Sequence, residues 1–366
     1  MGYIAVKGGT EAISNAAAYL RWLQANGESD PLAVEQIQEQ LYLAVDRVMG
    51  EGALYAPALA ALALKQSAGD TLEAAFMVRA YRTTQPRIGY SLPVDTRRLK
   101  VIRRISAAFK EIPGGQILGP TPDYTLRLLD FSLVGETSEQ RRDALADLLQ
   151  DLPEGEPVPD NLPKVIEILR RENLLVEGTR TVSNKQSPDD ITRQSITLPA
   201  SRSASMQAMA MGETGGLLAL AYSNMRGYGM VHPTVGELRV GYLPIEIENP
   251  YRGGAEIIGN VKVTEAEVIC SLDNVEDKGP KFTLGYGLCF GHNETKAISM
   301  AVLDRAMQST EATSASEDQE FVLMHIDGVE SMGFCNHFKL PHYVTFQSAL
   351  DRLRKSREEH ERGSMD

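Results

Sequence analysis

Apolar residues recur at helical spacing through most of the first 150 residues of the chain. This pattern predicts five helices, the last of them strongly basic, over residues 9–26, 30–50, 57–66, 70–84 and 96–110. Asp30 and Asp70 are the expected caps of two of these helices, because their side chains can accept hydrogen bonds from free backbone amides. Shorter helices are predicted near 123–133 and 138–149, and a loop over 112–120, which is rich in Pro and Gly.

The pattern changes period in the second half, where β-branched stretches alternate apolar and polar residues. These stretches predict three strands, over residues 236–248, 255–269 and 282–290. Four helices are predicted around them, over residues 216–225, 294–307, 320–332 and 343–361. The glycines of 285–291 miss the spacing of a dinucleotide-binding motif, and we interpret them as a turn at a strand end.

Together these elements predict an α+β protein, since the helices and the strands fall in separate runs. We expect a mostly helical domain over residues 1–150, with a basic region at 65–110. A linker that collects Pro and acidic residues is expected over 151–187. An α+β domain over 188–366 would then hold a mixed, largely antiparallel sheet with flanking helices.

Composition narrows the possible partners. The formal net charge of −12 argues against nucleic-acid binding. Residues 65–110, however, hold ten Lys or Arg residues against three carboxylates, which favours either a local polyanion site or a solvated helix face. Three cysteines are too few for a disulfide framework. With no secretory signal and no apolar run of membrane length, we expect a cytoplasmic protein without membrane contact.

Several short patterns have the chemistry to hold a phosphate. The glycine turns Lys7-Gly8-Gly9 and Gly114-Gly115 lie beside predicted helices, where free backbone amides favour an anion. Arg79 and Arg82 are three residues apart on one predicted helix and share a face. Tight turns alone would also explain the glycines.

Glu237 and Arg239 alternate on a predicted strand that follows His232, so their side chains share one face. A buried ion pair is the simpler interpretation of these two residues. A carboxylate that binds substrate or transfers a proton is the alternative.

Two of the six histidines, His337 and His342, lie five residues apart, and Pro341 stands directly before the second. Pro341 stops a helix at or before Leu340, so the pair is expected on a bend where two ring nitrogens can converge on one metal. Two imidazoles suit Zn²⁺ but leave a tetrahedral shell incomplete. Two histidines on a polar turn are the alternative.

A series of short motifs, in order along nearly the whole chain, resembles the PhnI family, a subunit of the bacterial carbon–phosphorus lyase core complex. The resemblance weakens between about residues 134 and 185 and in the last dozen residues. The motifs lie at residues 7–9, 43–49, 59–66, 79–84, 104–106, 112–116, 118–121, 188–193, 218–223, 226–229, 285–288 and 337–344.

The resemblance implies a specific reaction. With its partner subunits, such a protein couples methylphosphonate to the ribose C1′ of MgATP, expels adenine and gives alpha-D-ribose 1-methylphosphonate 5-triphosphate. Alone it is expected to act as a purine nucleoside triphosphate nucleosidase. The product passes to the radical SAM lyase subunit of the same complex, which is expected to contain two copies of this chain. The resemblance also places a Zn²⁺ on His337 and His342 at the contact with the lyase subunit, while Mg²⁺ arrives with the nucleotide.

This chemistry assigns expected roles to residues of the chain. Asp46, Glu237 and His232 are the candidate catalytic groups, and Asp190 is a further candidate carboxylate. His292, His325 and Cys335 are expected to lie outside the site. The expected substrate-binding residues are Lys7, Gly8, Gly9, Arg47, Lys65, Arg79, Arg82, Arg104, Gly114 and Gly115.

Two other functions remain open from the sequence. The chain would be a non-catalytic scaffold if its main contribution were the two histidines lent to a neighbouring subunit. A self-contained zinc hydrolase would need three protein ligands and an open position.

Overall fold

The computed structural model describes residues 8–151, 159, 162–176, 188–228, 233–275, 279–309 and 311–363. Within these residues the chain forms thirteen α-helices and one four-stranded antiparallel sheet, which confirms the predicted α+β class. In chain order, the helices α1 to α13 are Gly9–Ala25, Val34–Gln40, Tyr42–Gly52, Pro57–Gln66, Thr71–Thr84, Ser138–Asp151, Ile166–Arg171, Arg202–Met211, Thr214–Ser223, Glu294–Ala306, Gln319–His325, Gly328–His337 and Tyr343–Gly363. The strands β1 to β4 are Lys100–Ile105, Thr234–Glu248, Ala255–Val275 and Gly279–Phe290.

Helices α2 to α5 form a small core of their own around Val48, Met49 and Ala60. The predicted starts of α4 and α5 are confirmed: a proline opens α4, and the Asp70 side chain accepts from two backbone amides of α5. The prediction of one helix over 30–50 is wrong. The Gln36 side chain accepts from the backbone amide of Ala33, so α2 begins at Val34, and the chain breaks again at Leu41 before α3.

The basic helix predicted over 96–110 is wrong, because the middle of this segment, Lys100–Ile105, is strand β1. Lys100–Ile105 pairs with β2, and the pairing buries Arg103 and Arg104 completely. The charges suggested a solvated helix face, but the β-branched residues between them pair with a strand more than 130 residues away. The helix predicted near 123–133 is also absent: in this segment the described structure has a 3₁₀ turn at Phe131–Leu133 and no α-helix.

The sheet is a meander of order β1-β2-β3-β4, with every neighbouring pair antiparallel. All three predicted strands are confirmed, and β3 continues six residues beyond its predicted end. In the register of β2 and β3, Leu238 faces Ala266, and both side chains point into the main core with α10.

Helix α10 lies directly on the sheet because β4 carries glycine where the two backbones meet. A Cβ on Gly287 would lie 2.0 Å from the Ala297 carbonyl oxygen, and one on Gly285 would lie 1.9 Å from that of Ala301. The interpretation of the glycines of 285–291 as a turn at a strand end is therefore wrong for Gly285 and Gly287, which lie inside β4, and is confirmed for Gly291, which follows the strand with a φ of 77°. The missing side chains of Gly285 and Gly287 let α10 fill the core with Met300 and other apolar residues.

The helix predicted over 320–332 is divided into α11 and α12. Asp327 begins α12, since its carboxylate accepts from the backbone amides of Val329 and Glu330. Helix α12 then ends at His337, as Pro341 predicts. None of the described helices is long and apolar enough to span a membrane.

The division into domains at 150 and 188 stays a prediction. Contacts do cross it: β1 belongs to the sheet of the second half, and Arg79 on α5 pairs with Asp327 at 2.7 Å.

Gly287→Ala is expected to lower the free energy of unfolding by about 3 kcal/mol, because the new methyl group forces α10 away from β4. Gly259→Ala is the matched control, since a Cβ at this glycine of β3 would meet nothing within 4 Å. Urea unfolding of both variants measures the difference. Equal stabilities would show that α10 does not depend on this close approach.

Candidate functional site

A buried ionic network covers one face of the sheet and contains Arg104 and Glu237. Arg104 Nε donates to Glu237 Oε1 at 2.6 Å, and neither residue is more than 2% exposed. Glu237 Oε2 also accepts from the backbone amide of Val165 at 3.2 Å. Both carboxylate oxygens are thus occupied, as the burial of an ion pair requires.

The glycine turn at Gly114 and Gly115 faces the same guanidinium. Arg104 Nη1 donates to Pro113 O at 2.7 Å and to Gly115 O at 3.2 Å, and Nη2 donates to Pro163 O at 2.7 Å. Gly114 and Gly115 have φ angles of 82° and 77°, which favour glycine. The turn presents carbonyl oxygens to a cation here, whereas the sequence suggested amides facing an anion.

Arg239 pairs with Glu265 rather than with Glu237. Its Nε donates to Glu265 Oε2 at 2.9 Å, and Lys164 Nζ lies 2.7 Å from the same oxygen. Burial alone would raise the pKa of Glu265, but the charges of Lys164 and Arg239 hold it below its usual value. Burial raises the pKa of Glu267, which lies two residues along the strand and has Lys164 as its ion partner.

Asp46 lies at a different place, where α3 meets the turn after β4. It is 2% exposed, pairs with Lys262 at 2.8 Å and accepts from the backbone amide of His292 at 2.9 Å. Lys262 and Glu267 are five residues apart on β3, or roughly 16 Å at the usual rise of a strand. Because Glu267 pairs with Glu237 across the sheet, Asp46 and Glu237 do not meet at one reacting atom.

Arg47 is one-third exposed and lies where α3, α9 and α10 meet. It contacts Glu51 at 2.9 Å and also Glu213, the residue that caps α9. Glu51 Oε1 accepts from both the amide and the hydroxyl of Thr214 at 3.1 Å.

Lys296 stands behind this cluster, fully buried on α10, and burial lowers the pKa of its amine. Sequence reasoning missed Glu51, Glu213 and Lys296, because nothing in their local sequence distinguishes them from ordinary helix residues.

Arg79 and Arg82 lie on one face of α5, as predicted, but both are engaged with the chain. Arg79 pairs with Asp327 and donates to Glu51 O at 2.8 Å, and Arg82 donates to Ala53 O at 3.4 Å. Arg79 also lines an open pocket of about 400 Å³ between α5 and α12.

Of the other predicted residues, Lys65 is exposed in the last turn of α4, and Gly8 and Gly9 begin α1 with positive φ. Lys7 and His232 lie outside the described residues. Asp190 accepts from Tyr90 at 3.2 Å and pairs with Arg87.

His337 and His342 come together on the bend between α12 and α13, with ring centroids 5.2 Å apart. His342 Nδ1 lies 2.6 Å from Leu340 O, and His337 Nδ1 contacts Phe334 O in the same way. A carbonyl oxygen only accepts, so each Nδ1 carries the proton and each Nε2 keeps its lone pair for a metal. In the part of the chain that the structure describes, no group of three or more His, Cys, Asp or Glu residues could complete such a site.

The structure is thus an α+β protein with two histidines brought together on one bend and, among the described residues, no third ligand beside them. Comparison with known proteins gives the family. The family model described as "Bacterial phosphonate metabolism protein (PhnI)" matches residues 2–360, and the chain belongs to this family. The resemblance seen in the sequence motifs is thus confirmed.

Three curated relatives match nearly the whole chain. A putative C-P lyase subunit protein, HtxH, from Stutzerimonas stutzeri is 52% identical over 98% of this chain and 96% of its own. The alpha-D-ribose 1-methylphosphonate 5-triphosphate synthase subunit PhnI from Rhizobium meliloti is 46% identical over 98% of this chain and 96% of its own. The subunit of the same name from Escherichia coli is 46% identical over 99% of this chain and all of its own.

Glu265→Gln and Glu267→Gln are expected to change stability in opposite directions at neutral pH. The first lowers the free energy of unfolding by about 3 kcal/mol, because Lys164 and Arg239 stay buried with a charge partner removed. The second raises the free energy of unfolding, because it removes a carboxylate whose ionised form burial disfavours.

The pH dependence separates the two effects. The stability that Glu265 contributes is fully present when the pH is above the ordinary glutamate pKa of 4.5. It is lost as the pH falls through the lowered pKa of Glu265 in the folded state. The gain from Glu267→Gln appears as the pH rises above 4.5, toward the raised folded-state pKa of Glu267. Urea unfolding from about pH 2 to about pH 8 measures both. A change of the same sign in the two variants would contradict this account of the network.

Proposed function

We propose that this chain is the subunit that displaces adenine from MgATP with methylphosphonate at ribose C1′, to give alpha-D-ribose 1-methylphosphonate 5-triphosphate. The observation that carries the proposal is the identity of 46% over almost the full length of two relatives named as subunits of that synthase. The enzyme would then be a transferase of a ribosyl triphosphate group. When the phosphonate is missing, water would take its place and the chain would act as a nucleosidase.

The stereochemistry of the named product constrains the mechanism. ATP carries adenine on the β face of C1′, and the product named for the relatives is an α-ribosyl phosphonate. One displacement with inversion connects the two, so a covalent enzyme–ribose intermediate is not needed. The protein must hold the phosphonate on one face of the sugar, hold the departing base on the other, and stabilise the positive charge between them.

The exposed cations are the groups best able to hold the triphosphate. Among the predicted residues, Arg47 and Lys65 keep accessible charge, and Arg79 lines an open pocket. Arg104, with its guanidinium shared among three carbonyls and Glu237, serves the fold instead. Mg²⁺ would arrive with the nucleotide and needs few protein ligands.

Asp46, Glu237 and His232 are the proposed catalytic groups, and the surroundings of Asp46 suit this role better than those of Glu237. Asp46 lies near Arg47 on α3, beside His292 and Lys262, so it is placed among groups that keep some exposure. Glu237 is enclosed with Arg104 and is less suited to touch a substrate.

A Zn²⁺ is proposed on His337 and His342, shared with a partner subunit. The two Nε2 atoms fit the donor set of zinc, and bound zinc would supply a Lewis acid at the boundary between the subunits. Phe334, Phe338 and Leu340 are exposed around the pair, as expected of a surface that another chain covers. The proposed partners are the other core subunits, including the radical SAM lyase subunit, with two copies of this chain in each complex.

A scaffold without catalytic function is the second candidate. It is favoured by the engagement of Arg79, Arg82 and Arg104 in contacts within the chain. The two functions predict different rates of adenine release from MgATP when an accessible cation is replaced.

In the assembled complex, Arg47→Met is expected to lower kcat/KM for adenine release from MgATP by about 10–100-fold, as befits a lost charge-assisted hydrogen bond. Arg97→Met is the control, since Arg97 is exposed and its ion pair among the described residues is with nearby Asp95. Adenine is quantified chromatographically, and size-exclusion chromatography verifies assembly. Unchanged turnover in Arg47→Met would favour the scaffold, and no adenine from the wild-type complex would refute the proposed reaction.

Replacement of His337 or His342 by alanine is expected to remove stoichiometric zinc from the assembled complex, because one imidazole is too few to hold a shared ion. His325→Ala is the control, since its Nδ1 also lies 2.7 Å from a carbonyl, at the end of α11. Mass spectrometry of the metal content measures the effect. Tight stoichiometric zinc in the isolated chain would contradict a shared site.

A further inference from the structure

Helix α12 is attached to the rest of the fold at its first turn. Val329 is the only buried residue of this helix, every residue of which the structure describes. Gly328 lies directly against Glu213, because a Cβ at this glycine would come within 2.5 Å of the Cβ of that side chain. The later turns are half-buried or exposed, and Phe334 is 64% exposed. The helix therefore projects from the fold, and its far end carries His337.

Beyond the first turn, α12 stands away from its neighbour. The open pocket of about 400 Å³ lies between it and α5, with Glu73 and Phe76 on one side and Met332 and Gly333 on the other. Helix α13, which follows the histidine bend, has no buried residue within Tyr343–Gly363. The position of the histidine pair relative to the rest of the fold thus depends on the first turn of α12.

One guanidinium holds that first turn. Arg79 Nη1 donates to both carboxylate oxygens of Asp327, at 3.0 and 2.7 Å. Its Nη2 donates to Glu51 O at 2.8 Å and to Met211 O at 3.5 Å. These carbonyl groups lie in the last turns of α3 and α8, where the helix dipole favours a cation. Arg79 thus joins the start of α12 to the ends of two other helices, and we call these contacts the α12 anchor.

Asp327 does two things at the start of α12. Its Oδ1 accepts from the backbone amides of Val329 and Glu330, and so caps the helix. Its charge also pairs with Arg79, and the two side chains are only 29% and 17% exposed. Solvent therefore screens this ion pair less than it screens a pair on the open surface. Asparagine caps helices about as well as aspartate, so Asp327→Asn would keep the cap and lose the ion pair.

The length of α12 makes its direction important for a bound metal. From Gly328 to His337 the helix spans about 14 Å, so a tilt of about 10° at the first turn would move His337 by about 2 Å. Zinc sites tolerate changes of only about 0.2 Å in the distance between metal and ligand. His337 and His342 keep their own orientation through contacts with nearby carbonyl groups. What the α12 anchor decides is where the pair stands relative to a subunit bound to this chain.

We infer that Asp327 and Arg79 are positioning residues for the metal site, because their ion pair sets the direction of α12 and so the place of His337 and His342. Neither residue is a ligand of the metal. The inference rests on the proposed function and deepens it, since it concerns the Zn²⁺ that the histidine pair is proposed to share with a partner subunit. It gives Arg79 a role that needs no contact with the triphosphate.

Spin labels on the full chain report the direction of α12 without any metal. Cys335 is exposed on α12, whereas Cys270 and Cys289 are buried and protected from the labelling reagent. The second label is placed by Lys65→Cys, at an exposed position of α4 in the helical core that also holds α5. Double electron–electron resonance then measures the distribution of distances between the two labels.

A single narrow distribution is expected when the α12 anchor is intact. In Asp327→Asn and in Arg79→Met the distribution is expected to be at least about twice as broad, because a half-buried ion pair has lost one partner and α12 is free to tilt. A broad distribution with the anchor intact would overturn the inference. Unchanged distributions in both variants would overturn it as well.

Glu330→Gln is the matched control for Asp327→Asn. It also removes one carboxylate from the first turn of α12 and lines the same pocket, but among the described residues the Glu330 side chain has no ion pair. Its distance distribution is expected to equal that of the wild type. Equal broadening in Glu330→Gln and Asp327→Asn would show that any charge at the start of α12 has this effect, and would overturn a specific role for the ion pair.

The zinc affinity of the assembled complex tests the consequence for the metal. Competition with a chromogenic chelator is expected to give a Kd at least about tenfold higher for Asp327→Asn than for the wild type or Glu330→Gln, as for the loss of other groups that orient metal ligands. Arg79→Lys is expected to restore part of the affinity lost in Arg79→Met, because it keeps the charge but not the two-pronged contact. Size-exclusion chromatography verifies that each variant assembles.

The zinc measurements separate this inference from the proposal on which it rests. If the wild-type complex holds no stoichiometric zinc, the proposed shared site is wrong and the inference fails with it. If the wild-type complex holds zinc and Asp327→Asn holds it equally tightly, only the positioning role is wrong. Weaker zinc binding in Asp327→Asn together with a broader distance distribution supports both.

Discussion

Every charge buried on the sheet needs a partner, and the buried guanidinium of Arg104 takes its partners from several separate segments of the chain. One side chain contacts Glu237 on β2 and the carbonyl oxygens of Pro113, Gly115 and Pro163. These groups come from three separate stretches of sequence. A guanidinium has five N–H donors in a fixed plane, so satisfying it fixes two loops relative to two strands. Desolvation would make any missing partner costly, so the contacts of Arg104 stabilise the position of the loops over this face.

This requirement also decides which charged residues remain for chemistry. Arginines that the sequence offers as phosphate ligands serve carbonyl oxygens or carboxylates of the same chain, as Arg79 and Arg104 do. Arg47, where α3 meets α9 and α10, differs from these arginines because one-third of its side chain is exposed. Among the described residues, single buried atoms without a partner occur both here, on Glu51 and Lys296, and in the network on the sheet, on Arg239 and Glu267.

Local signals were sufficient for much of the fold. Pro57, Asp70 and the alternation of β2 to β4 act through neighbouring residues, and the elements they predict are confirmed. The failures share a cause, which is that a distant segment outweighed the local preference. The sequence predicts a basic helix at Lys100–Ile105, but in the structure this segment pairs with β2 as a strand. The sequence predicts a turn at Gly285 and Gly287, but in the structure both lie in a strand against which α10 packs closely.

By itself the sequence determined the α+β class, the family through its ordered motifs, and the bend that brings His337 and His342 together. Each of these depends on residue identity or on spacing over a few positions, and the sequence shows both directly. Only the tertiary structure decided which carboxylate neutralises which cation, and that Lys296 and Glu51 are buried. Burial and pairing are properties of groups brought together from segments far apart, and the electrostatic cost of leaving one unpaired exists only after water has been removed.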